Sequence, residues 1–161
     1  MPCSAWLASM DAETTLAPTR ADKVAAIDRA LVGWTPSFMD VTHTFGTGIY
    51  TRTGRVKKGE FILGAKHKAA NVFTLYRGSV MVWDADNGVR LLRAPYSEIT
   101  PPGRQRIGFA LEDFEGANIF TTTATTVDEV EREMLFPFQI PANPGELVMQ
   151  LSEKAQQLLA P

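Results

Sequence analysis

Two histidines and one cysteine, His43, His67 and Cys3, are the chain's whole stock of imidazole and thiol metal ligands. A catalytic transition-metal centre wants three or four N, O or S donors converging at about 2.0–2.3 Å. These three residues build one only with help from carboxylate or amide oxygens. Nucleophilic catalysis has no pattern to rest on. There is no Gly-x-Ser-x-Gly element, and Cys3 stands far in sequence from either histidine. Gly46-Thr47-Gly48 lacks the length and the following lysine of a phosphate loop, and suits a turn into a strand. Basic side chains, in contrast, are concentrated. Residues 51–111 carry a charge of +7, while residues 1–50 carry −2 and residues 112–161 carry −7, within a net charge of −2 over 161 residues. The acidic tail competes in cis with any polyanion, which argues against a nucleic-acid binder. Phe73, Tyr76, Trp83, Phe109 and Phe120 read most simply as core and cross-strand packing.

The elements that must position these groups follow from periodicity. A hydrophobic content of 45% supports one core, and 161 residues fit one domain with terminal appendages. Residues 1–19 lack a period and read as an arm, with Trp6 and Leu7 as anchors. Thr19 and Asp22 form a helix start, and Val24, Ile27, Ala30 and Leu31 give Arg20–Val32 helical spacing. From Thr42 the pattern changes to short Val, Ile, Phe, Tyr and Thr runs between turn residues. Strands are predicted near 48–56, 60–64, 71–76, 79–84, 89–93, 96–100, 105–111 and 117–122. Asn87–Gly88 is the strongest hairpin signal. Thr126 with Glu129 makes a capping box for a helix over 127–135, and Asn143-Pro144 opens a second helix with a leucine stripe through Leu159. The chain thus divides into an arm and helix (1–41), a β-barrel (42–125) and C-terminal helices (126–161). Lone Cys3 leaves no disulfide framework. The N-terminus carries no secretory signal, and no apolar run approaches the ~18 residues of a membrane helix. A soluble protein made in a cytoplasm is expected, without membrane or nucleic-acid partners.

Two segments of the β region carry a resemblance. Gly59 to His67, running through Asn71 to Gly78, and Pro101-Pro102-Gly103-Arg104-Gln105-Arg106 together resemble the two motifs of the cupin superfamily. That resemblance implies a mainly β, cupin-like double-sheet jelly-roll barrel with one N-terminal and two C-terminal helices. The run from Gly48 to about Glu133 is also similar to small cupin-like proteins encoded by tailed bacteriophages. It does so through Leu92-Arg93-Ala94-Pro95-Tyr96, Arg106-Ile107-Gly108-Phe109-Ala110, Glu112-Asp113 and Asp128-Glu129. In cupins the first motif supplies two His and a Glu, the second a His, and together they usually hold a metal. Here His67 alone matches. Asn71 stands where the glutamate falls, seven residues before Gly78, and Arg106 where the last histidine falls, three residues after Gly103.

The depleted ligand set shapes the functional expectations. His67 with Asn71 and a carboxylate such as Glu112 makes at most a thin site for a divalent metal, with His67 its one imidazole, and no resident cofactor is expected. An inward Arg106 instead offers the guanidinium fork suited to carboxylate or phosphate. Arg52, Arg55, Lys66, Lys68 and Arg104 lie on strands or loops that the motifs place around the barrel. The leading expectation is a non-enzymatic phage accessory or virion structural protein, made in the host bacterial cytoplasm. It would act through homo-oligomerisation and contacts with other phage proteins, an acidic tail meeting a neighbour's basic barrel. The alternative is a cupin binding a small anion or nucleotide through His67, Asn71, Arg106, Arg52 and Glu112. A metal-dependent cupin enzyme is the third.

Overall fold

The computed structural model describes residues 17–31 and 40–160. The predicted arm, with Cys3, Trp6 and Leu7, lies outside the described residues. The fold is mainly β: two antiparallel sheets face each other, and three helices pack around them. Helix α1 spans Arg20–Leu31, and nine strands follow: β1 (Asp40–Gly46), β2 (Ile49–Val56), β3 (Phe61–Leu63), β4 (Asn71–Arg77), β5 (Ser79–Asp84), β6 (Gly88–Arg93), β7 (Tyr96–Thr100), β8 (Ile107–Ala110) and β9 (Phe114–Thr121). Helices α2 (Val127–Met134) and α3 (Pro144–Leu159) close the chain. One sheet has the order β1-β2-β9-β4-β7 and the other β3-β8-β5-β6; among the described residues no strand of one pairs with a strand of the other, so the predicted barrel is an open double sheet. Strand β1 was not predicted as a strand; Val41, His43 and Phe45 alternate with threonines there, and the composition carries little apolar signal.

The first sheet builds its inner face in cross-strand rows. Directly paired residues share a face, so His43, Arg52, Asn118, Phe73 and Glu98 form one row across all five strands. Phe45, Tyr50 and Phe120 lie in the adjacent row, as do Asn71 and its partner Thr100. The facing sheet contributes Val80, Val82 and Leu92, which pack with Val56, Leu75 and Phe114 as the inter-sheet core.

The outer face of the β3-β8-β5-β6 sheet is equally apolar, and α3 covers it. Leu151 and Ala155 bury Met81, Ile107 and Leu111, with Trp83 and Phe109 alongside. Helix α1 packs on α3 in turn: Arg20 bridges Glu146 and Glu153 at 2.7 Å, and Asp28 accepts a hydrogen bond from the Gly145 backbone at 2.7 Å. That contact caps the α3 N-terminus, since Asn143 makes no side-chain cap. A β-carbon on Gly145 would stand 2.5 Å from the Val24 carbonyl, so glycine permits the close approach. Helix α2 carries the predicted capping box between Thr126 and Glu129 and seats Val130 and Met134 on Tyr50 and Phe120. The helices therefore cover their own β-structure. Carboxylates of the acidic C-terminal block likewise pair within the chain, Asp113 with Lys57 and Glu115 with Arg55.

The turns obey their residues. Asp84 accepts from the Asn87 backbone (2.9 Å) and side chain (2.8 Å), closing the β5–β6 hairpin with Gly88 at φ 66°. Gly78 and Gly103, the glycines of the two motif-like segments, both have positive φ, at 79° and 80°.

Candidate functional site

Between the sheets lies a cavity of about 370 Å³, within the size range of small-molecule sites. Its walls are largely apolar: Ile62, Phe73, Val80, Val82 and Phe114, with Gly54, Gly108 and Gly116 where side chains would fill it. Exposed Phe61, Phe136 and Phe138 form an apolar rim. Lys66 reaches over the Phe136 ring, 5.7 Å from its centroid. The polar lining is confined to Arg52, His67, Thr100, Arg104, Arg106, Asn118 and Glu131.

His67 is held by an amide relay. Asn118 Nδ2 donates to Asn71 Oδ1 at 2.7 Å, which turns Asn71 Nδ2 toward His67 Nδ1 at 3.2 Å. Nδ1 therefore accepts, and the neutral ring carries its proton on Nε2. Burial, helped by the Arg52 and Arg106 charges, pushes the His67 pKa down from 6.5 to about 4. At neutral pH His67 is a fixed hydrogen-bond donor rather than a base. The Phe120 ring meets it edge-on at 5.0 Å, and its backbone bridges to Leu135, just beyond α2.

The arginines divide into committed and uncommitted groups. Arg106 stacks on Phe73 at 5.1 Å and pairs through Nη2 with Glu98. Burial lowers its pKa, with Glu98 opposing the shift. Arg104 bonds Asp86 at 3.1 Å and approaches fully buried Asp84 at 3.9 Å, while Arg90 bonds Asp84 at 3.1 Å and Glu98 at 3.5 Å. These three cations and their carboxylates tie the two sheets together along the β6–β7 side. Arg52 has no such partner: among the described residues its guanidinium makes no hydrogen bond and no ion pair. Glu131, exposed on α2, is the carboxylate of the lining.

Four of the residues singled out from sequence thus meet at one place: His67, Asn71, Arg106 and Arg52. Glu112 does not join them. It sits exposed in the β8–β9 turn, where it accepts from Ser79 Oγ at 2.5 Å, away from the cavity lining. Arg55 and Lys68 also point elsewhere, to Asp40 and Glu115 and to the Arg132 carbonyl. Thr100 and Asn118 were missed. Both lie on strands whose apolar alternation does not reveal the inner face, so only register assigns them.

The metal that the cupin resemblance implies does not fit these donors. His67 is the one imidazole in the lining, its Nδ1 and the Asn71 oxygen are both engaged, and Arg106 and Arg52 place positive charge where a cation would sit. Among the described residues no three His, Cys, Asp or Glu side chains stand together as a ligand group.

No family model and no curated protein matches the chain. Similar solved structures include a cupin-2 domain protein from Shewanella frigidimarina, 13% identical over 65% of this chain and 100% of that one, with a TM-score of 0.43. A Klebsiella pneumoniae protein with a double-stranded β-helix domain is 14% identical over 58% of this chain and 84% of its own, with a TM-score of 0.47. Salicylate 1,2-dioxygenase from Pseudoaminobacter salicylatoxidans is 12% identical over 71% of this chain and 34% of its own, with a TM-score of 0.48. Among the described residues no helix is long and apolar enough to cross a membrane.

Proposed function

We propose that this protein is a small-molecule binder whose inter-sheet cavity takes a ligand with an apolar body and one anionic head, most simply a carboxylate. The single observation that carries this reading is Arg52, a cation in the wall of an apolar cavity with no hydrogen-bond or ion-pair partner among the described residues. A guanidinium offers two parallel donors to a carboxylate, and neutral His67 adds an Nε2 donor from the same wall. The apolar body is accommodated by Phe73, Val82 and Phe114, and Phe61 and Phe136 extend that surface to the rim. Arg106 is already paired with Glu98 and contributes less charge than its place in the motif implies. No observation here favours the phage or virion assembly role expected from the sequence, since α2 and α3 are spent on their own sheets.

The reading is tested by thermal unfolding against paired compounds, 4-phenylbutanoate and 4-phenylbutanamide. The carboxylate should raise the midpoint in a concentration-dependent manner, and the neutral amide should not. Equal shifts from both, or none from either, would remove the anionic head from the proposal.

A further inference from the structure

The cavity contains a second polar point, distinct from Arg52, whose hydrogen bonds are unmade. Thr100 is 3% exposed and lines the cavity, yet its Oγ1 has no partner among the described residues. Arg106 Nε is buried, also faces no partner, and belongs to a side chain in the same lining. Such orphans are uncommon, because an unmet buried donor forfeits its hydration without return. Thr100 is paired in register with Asn71, which bonds His67. Arg106 lies on the Phe73 ring, in the neighbouring row. The two orphans therefore flank the His67–Asn71 relay on the β7 side, whereas Arg52 approaches it from β2.

Their chemistry is specific. Arg Nε can only donate, and a threonine hydroxyl can donate as well, so an acceptor oxygen within reach of both would satisfy the pair. Because Glu98 already pairs with the Arg106 charge, that oxygen need carry no charge of its own. We infer that the ligand is a monocarboxylate bearing a second, neutral acceptor oxygen: the carboxylate meets Arg52, and a keto or similar oxygen meets Thr100 and Arg106. This deepens the small-molecule reading and rests on it.

The test compares 4-phenylbutanoate with its 2-oxo and 4-oxo derivatives, titrated calorimetrically into the full chain and into Thr100→Val, a near-isosteric change. At least one keto acid should bind wild type about tenfold more tightly than the parent acid, the worth of satisfying a buried donor pair. Thr100→Val should erase that gain, so that the keto acid and the parent acid bind the variant with affinities within about twofold of each other. Parent binding without any keto advantage, or an advantage that survives Thr100→Val, overturns the second point and leaves the carboxylate reading standing. No binding by any of the three acids overturns both.

Discussion

Replacing Asp84 by asparagine retains the shape of a fully buried side chain and deletes its charge. The carboxylate is 0% exposed and bonds the Asp86 and Asn87 backbone and the Asn87 amide as well as Arg90, at 2.8–3.1 Å. In Asp84→Asn the amide oxygen can still serve the turn, but its NH₂ must face Arg90, and Arg104 loses one of its countercharges while keeping Asp86. Breaking a buried pair from one side is worth several kcal/mol because the remaining cation stays desolvated. With Arg90 and Arg104 both left partly compensated by Glu98, we expect about 3 kcal/mol of destabilisation. For a chain of this size, that lowers the melting midpoint by about 6–12 °C. Burial raises the Asp84 pKa, but hydrogen bonds from Asn87 and Arg90 and the Arg104 charge outweigh it and hold the carboxyl below its usual 3.8. A carboxyl depressed in the folded state stabilises above its unfolded value and loses that contribution as the pH falls through the folded one. The gap between wild type and Asp84→Asn, measured by denaturant unfolding, should therefore be constant from pH 7 to pH 5 and shrink below about 3.8. A variant within about 0.5 kcal/mol of wild type at pH 7, or a gap that widens in acid, would refute this account of the network.

Three other outcomes are expected. The His67 imidazole should titrate near pH 4 by NMR instead of near 6.5. Because the folded value is the lower one, stability should fall as the pH drops from 6.5 toward 4, and Asn71→Ala should disturb the Nε2-protonated tautomer; an ordinary midpoint would refute the burial of this ring. Gly145→Ala drives a β-carbon to 2.5 Å from the Val24 carbonyl, so α1 amides should exchange faster with solvent while the strand amides stay protected. Unchanged exchange over 20–31 would show that α1 does not depend on that approach. Thr126→Ala should destabilise by about 1 kcal/mol through loss of the α2 cap, read by chemical unfolding, with no change expected in exchange of α1.

Much of the architecture was legible because local signals agree with it. Asn87–Gly88 specifies a hairpin through φ, Thr126 and Glu129 specify a cap, and strands 79–84 and 96–100 are bounded by turn residues. The inner faces were less legible. Ile49 and Ile99 are exposed while Arg52 and Glu98 on the same two strands face inward, so hydrophobic alternation points the wrong way and only pairing register corrects it. The site was readable as positions rather than as roles. Motif spacing brought His67, Asn71 and Arg106 together, yet no spacing rule announces that Glu98 neutralises Arg106 or that Arg52 finds no partner among the described residues. Glu112 illustrates the converse: its type suits a ligand, but Ser79 holds it in a turn outside the cavity.

Arg52 is where the proposed function is most exposed to test. Calorimetric titration of 4-phenylbutanoate into wild type and Arg52→Met, with folding of the variant checked by its melting midpoint, isolates the charge while retaining the side chain's bulk. Wild-type binding weakened about tenfold or more in the variant is expected. Equal affinity in the two proteins would contradict the assignment of Arg52 as the anchor of the ligand's anionic head.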